Sequence, residues 1–87
     1  KSIFDLKLQQ IMENEILKLL SVALGTDVSD ISIESTSLDI DEWDSLGHLS
    51  ILQELDLKYD NITDRAPGLA SVSSVKEIVD LVNSDQQ

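Results

Sequence analysis

The residues able to do chemistry gather between Asp39 and His48. Asp44 is a good helix N-cap, because its carboxylate can accept from an otherwise unpaired amide of the first turn. Ser45 then becomes the first helical residue. Its hydroxyl projects at the end of a helix that carries partial positive charge and free N–H groups, a setting that suits a covalently attached phosphate. Leu46 starts the apolar stripe. The reading is of a serine that is modified and then carries cargo. His48, three residues on, shares the helix face of Ser45. A Ser/His pair without an acid to orient it or an oxyanion hole is a poor hydrolase. No catalytic residue is therefore assigned, and His48 is read as a surface residue or a contact for partners. The acids Asp39, Asp41, Glu42 and Asp44 raise the question of calcium. An EF-hand loop needs an oxygen ligand at its fifth position, glycine at its sixth and glutamate at its twelfth. Counted from Asp39, those positions hold Trp43, Asp44 and Ser50, so no metal site is assigned.

Composition narrows the classes further. Lys plus Arg number 6 and Asp plus Glu 17, for a net charge of −11. That charge repels nucleic acid, so no nucleic-acid partner is expected. No Lys or Arg falls between Leu19 and Leu57, where Asp27, Asp30, Glu34, Asp39, Asp41, Glu42, Asp44, Glu54 and Asp56 lie. The bases Lys1, Lys7, Lys18, Lys58, Arg65 and Lys76 sit toward the two ends. A one-sign field of this kind steers basic partners toward Ser45. There is no cysteine, so neither a disulfide nor a thiolate metal site can form, and any thiol the protein uses must come from a cofactor. No apolar run suits membrane insertion and no signal peptide is visible, so a cytoplasmic site is the default expectation. The first residue is Lys1 rather than Met, as in a trimmed or excised domain.

These residues must be positioned by helices. Residues 3–24 predict a long first helix, with Phe4, Leu8, Ile11, Met12, Ile16, Leu19, Leu20 and Ala23 at helical spacing and Gly25 as its stop. Residues 25–43 predict a long ordered loop pinned by Val28, Ile31, Ile33, Leu38, Ile40 and Trp43. Ile31 and Ile33 alternate as in a strand, but no second strand signal pairs with them. Residues 45–59 predict the second helix, with Leu46, Leu49, Leu52, Leu55 and Tyr59 at helical spacing, Ile51 flanking, Leu46 read as either core or a partly exposed knob for partners, and Gly47 weakening its first turn. A short helix is expected at about 66–71, and a last helix at about 73–83 capped by Ser73 or Ser74, followed by a fraying polar tail. The expected core is Leu8, Ile11, Ile16, Leu20, Leu49, Leu52, Leu55, Ile62, Val75, Ile78 and Val79. Residues 1–87 read as one small all-α domain.

With this order around Asp44-Ser45-Leu46, the chain resembles the acyl carrier proteins over roughly Phe4 to Val82. That resemblance implies a small four-helix bundle of the acyl-carrier type. It implies 4′-phosphopantetheine, drawn from coenzyme A and attached to Ser45, with Asp44 and Leu46 beside it. The arm's thiol would hold an acyl group as a thioester for partner enzymes. Those partners would be a phosphopantetheinyl transferase and acyl-loading, acyl-transfer or synthase enzymes with basic docking surfaces, met by a monomeric carrier. Asp41, Glu42, Trp43, His48, Glu54 and Asp56 are the expected recognition residues, with Trp43 also read as a loop anchor on the core. Carriers of primary fatty acid biosynthesis tend to place an acid directly after the motif. Here Gly47, His48 and Ser50 stand in that turn. The wording is more similar to carriers of specialised lipid, polysaccharide-decoration or secondary-metabolite pathways. A peptidyl or aminoacyl carrier, and an acidic helical interaction or calcium-responsive module without a prosthetic group, stay open as alternatives.

Overall fold

With no glycine or proline before residue 25, α1 runs unbroken from Ile3 to Leu24. The computed structural model describes residues 3–86, and Lys1, counted above among the bases, lies outside the described residues. Gly25 ends the helix at φ +67°, the left-handed conformation that costs glycine little. The Thr26 amide then donates back to the Ser21 carbonyl at 3.1 Å, and Ser21 Oγ donates to the Thr26 carbonyl at 2.7 Å. The remaining helices are α2 (Ser45–Lys58), α3 (Ile62–Arg65) and α4 (Val75–Gln86), with a 3₁₀ helix at Pro67–Ser71 between the last two. α1 packs on both α2 and α4, while α3 and the 3₁₀ helix fill the corner between them. The result is a small helical bundle with no strand among the described residues.

The connection from α2 to α4 is more structured than its sequence suggests. Asp60 and Asn61 both take left-handed backbone, at φ 54° and 58°, and turn the chain sharply after α2. Both carboxylate oxygens of Asp56 then receive Thr63, from its amide at 2.9 Å and its hydroxyl at 3.0 Å. A capping group supplied from the preceding helix thus starts α3, which lies ahead of the short helix expected at about 66–71. Arg65 closes the corner. Its guanidinium donates to the carbonyls of Tyr59 and Asp60, both at 2.7 Å, and to the Asp85 carboxylate at 2.9 and 3.1 Å. This tie holds the end of α4, so the expected fraying tail is helical as far as Gln86. At the other end of α4, Ser74 Oγ caps the helix by accepting from the Glu77 amide at 3.2 Å, and the Glu77 carboxylate reaches back to accept from the Ser74 hydroxyl at 2.9 Å and the Ser73 amide at 3.2 Å.

The long loop has order of its own. Asp27 starts a 3₁₀ turn at Val28–Asp30 by accepting from the Ser29 amide at 2.9 Å. Further on, the loop pairs with the segment before α4: Ser37 N–H donates to Ser73 at 2.8 Å, Val75 N–H donates to Ser35 at 3.0 Å, and Thr36 opposes Ser74 in an antiparallel bridge. Ile31, Ile40 and Trp43 are buried anchors and Ile33 is half-buried, but Val28 and Leu38 stand exposed and anchor nothing.

Burial corrects the expected core. Ile16, Leu20, Leu55, Ile62, Val75, Ile78 and Val79 are inside, whereas Leu8, Ile11 and Leu49 are exposed and Leu52 is half-buried. The misses have two geometric causes. At 1.5 Å per residue α1 is about 33 Å long against about 21 Å for α2, so its apolar stripe outlasts the helices that could cover it. In α2 the leucines recur every third residue, which drifts around a helix of 3.6 residues per turn. Leu46 and Leu55 therefore lie about 180° apart. The buried face runs instead through Ile51 and Leu55, joined by Leu69 and Val82 from the elements opposite.

Candidate modification site at the head of α2

The loop reaches α2 in extended backbone at Asp44, with φ −100° and ψ −165°. Asp44 Oδ1 accepts from the Gly47 amide at 2.9 Å, and the Asp44 carbonyl accepts from the His48 amide at 2.8 Å. Asp44 is thus the N-cap, and Ser45 is the first helical residue, with its side chain in solvent. Within an α-helix the first-turn amides of Ser45 and Leu46 have no carbonyl to meet. An exposed hydroxyl beside such donors, at the positive end of a helix of 14 residues, fits a phosphodiester chemically. Leu46 is 76% exposed, so it is not core.

Gly47 has a structural purpose that its low helix propensity hides. A Cβ built there would collide with the carbonyl oxygen of Glu42 and lie 2.9 Å from Leu24 Cδ2. Glycine lets the acidic loop seat directly on the first turn of α2 and on the end of α1.

Behind the serine, Trp43 Nε1–H donates to His48 Nδ1 at 3.0 Å, and His48 Nε2 meets the Leu69 carbonyl at 3.0 Å. An indole N–H can only donate, and a carbonyl can only accept. The imidazole is therefore neutral and carries its hydrogen on Nε2. The two ring planes lie within 8° of each other with centroids 6.3 Å apart, which is an edge-to-edge arrangement in the plane of the hydrogen bond. Both ring nitrogens are occupied, so His48 has no free nitrogen with which to activate Ser45. Nor is His48 the surface residue expected from sequence: it is half-buried, and Trp43, offered as a partner contact, is 6% exposed and turned onto the core. An open groove of about 660 Å³ runs beside Ser45, between α2 and the 3₁₀ helix; Trp43, Asp44, His48, Leu49, Leu52 and Val72 are among its walls.

The other expected recognition residues separate. Asp41 and Glu42 are exposed next to the site. Asp39, weighed above only for calcium, is spent inside the loop, accepting from the Thr36 amide at 2.9 Å and hydroxyl at 3.1 Å. Asp56 is committed to Thr63, and Glu54 is half-buried beside a separate groove with Glu15, Lys18 and Lys58. Neither belongs to the surface around Ser45. Among the described residues, no three His, Cys, Asp or Glu side chains come together to hold a metal ion, and no helix is long and apolar enough to cross a membrane.

No family model, curated protein or solved structure matches the chain.

The Trp43–His48–Leu69 chain is the feature the sequence reading missed. One available signal was that the only tryptophan and the only histidine stand five residues apart across a helix cap. Gly47 in that cap was a second, since glycine in a first turn calls for a close neighbour.

Proposed function

We propose that the protein is a carrier of the acyl-carrier type, with Ser45 as the attachment point for 4′-phosphopantetheine. The observation that carries this reading is the exposed Ser45 hydroxyl at the first position of α2, just past a side-chain N-cap and next to an open groove. When bound, the group supplies a terminal thiol that can hold an acyl cargo. The chain's own contribution is to present Ser45 and to keep the helix end rigid around it. Asp44 fixes the first turn, Gly47 seats the loop, and Trp43 pins the loop to the core. Ser45 acts as an acceptor rather than a catalyst, because both ring nitrogens of His48 are engaged and neither is free to take its hydroxyl proton. Exposed Asp41 and Glu42 lie where a basic transferase or acyl-handling enzyme would approach. The turn holding Gly47, His48 and Ser50 favours a specialised lipid, polysaccharide-decoration or secondary-metabolite pathway.

Incubating the folded protein with coenzyme A, magnesium and a broad-specificity phosphopantetheinyl transferase tests this. Intact mass is expected to rise by one phosphopantetheine in the wild type and not in Ser45→Ala, whose circular dichroism should match the wild type. Loss of the fold in Ser45→Ala would make the serine structural and count against the reading.

A further inference from the structure

We propose that His48 is a pH-operated latch that sets how firmly the acidic loop is held at the wall of the groove beside Ser45. The neutral ring joins three parts of the molecule: the loop through Trp43, α2 through its own backbone, and the 3₁₀ helix through the Leu69 carbonyl. The two bonds respond differently to a proton. In imidazolium both ring nitrogens donate. The bond from Nε2 to Leu69 survives, but Nδ1 then presents a hydrogen to the Trp43 N–H, which is also a donor. The Trp43 bond is lost and two donors are left facing each other at a half-buried position. Because this bond exists only while the ring is neutral, acidification loosens the loop and a rise in pH secures it. Imidazole is the side chain whose charge commonly changes between about pH 5 and 8.

The charged and titratable neighbours of the ring are few. The 3₁₀ helix Pro67–Ser71 has no titratable side chain, and α2 has none besides His48 from Ser45 to Leu52. The loop brings Asp41, Glu42 and Asp44, all exposed, and the Asp44 carboxylate is bonded to the Gly47 amide. From α1, Leu24 reaches this turn. Trp43 and His48 both wall the groove that holds Ser45, so releasing the indole changes the bed available to anything attached there. That functional consequence rests on the carrier reading; the latch itself does not.

The test uses the full, unmodified chain, so its failure is distinguishable from failure of the carrier reading. The single tryptophan and single histidine give unambiguous NMR signals. From pH 8 to 5, the Trp43 indole N–H resonance should move upfield with the same midpoint as the His48 ring nitrogens, while far-UV circular dichroism stays constant. In His48→Gln the side-chain amide can still accept from Trp43 and donate to Leu69 but does not titrate, so the indole signal should become independent of pH. An indole signal that stays fixed while His48 titrates would overturn the proposal. So would the same pH profile in His48→Gln, or a shift that only accompanies loss of helix signal.

Discussion

Gly47 and Tyr59 show how single atoms set this fold. At Gly47 the obstacle to a side chain is backbone, the Glu42 carbonyl, which moves only if the loop lifts. Gly47→Ala is therefore expected to lower stability by about 1–3 kcal/mol in urea unfolding, despite the better helix propensity of alanine. Unchanged or raised stability would mean that the loop does not seat on this turn. Tyr59 is the opposite case. Its Oη is buried without a hydrogen-bond partner, and burial, followed by the charge of Glu15, holds its phenol above the usual range. Removing an unsatisfied hydroxyl takes away a desolvation cost. Tyr59→Phe should be as stable as the wild type or up to about 1 kcal/mol more so in the same assay, and a clear loss would reveal a partner for the hydroxyl. The Asp44 cap and the position of Ser45 were legible in sequence because capping is local, acting over three residues. The task of His48 was not, because its carbonyl partner lies 21 residues away.

Helix limits follow the same division. Gly25 at the end of α1 and Ser74 before α4 were readable from residue type, since each acts on its own turn. The buried face of α2 was not, because leucines at every third position wind around the helix and only the packed neighbours select a side. The start of α3 depends on Asp56, seven residues before Thr63, and the end of α4 on Arg65, 20 residues before Asp85. That last tie carries a pH dependence. The Arg65 hydrogen bond holds the Asp85 carboxyl below its usual range. A lowered folded-state value means that the stabilisation is present above the ordinary carboxylate range and is lost as pH falls through the lowered one, below about pH 4. Amides of residues 83–86 should lose exchange protection in that window before those at the centre of α1. Asp85→Asn should leave them poorly protected at neutral pH as well. Protection at both ends that disappears together would show that the tie does not set the local stability of α4.

As a whole the molecule is a small acidic bundle, and stabilities of this chain length are about 4–13 kcal/mol. Its charge acts outward, as a field rather than as a fold determinant. Added salt shortens the reach of that field to about 8 Å at physiological ionic strength. Modification by a basic transferase should accordingly show a KM that rises with salt, and the salt dependence should weaken in Asp41→Asn/Glu42→Gln. A KM independent of salt in both proteins would remove steering from the account. The uneven charge placement behind this expectation is legible in the sequence, whereas the burial of Trp43 and the internal commitments of Asp39 and Asp56 required the packed chain. The central claim is that Ser45 accepts the prosthetic group, and peptide mapping by tandem mass spectrometry after treatment with coenzyme A and transferase tests it most directly. The account predicts one added phosphopantetheine on the peptide spanning Asp44 to Leu46, fragmenting at Ser45; a folded protein that gains no mass, or gains it at another serine, would contradict it.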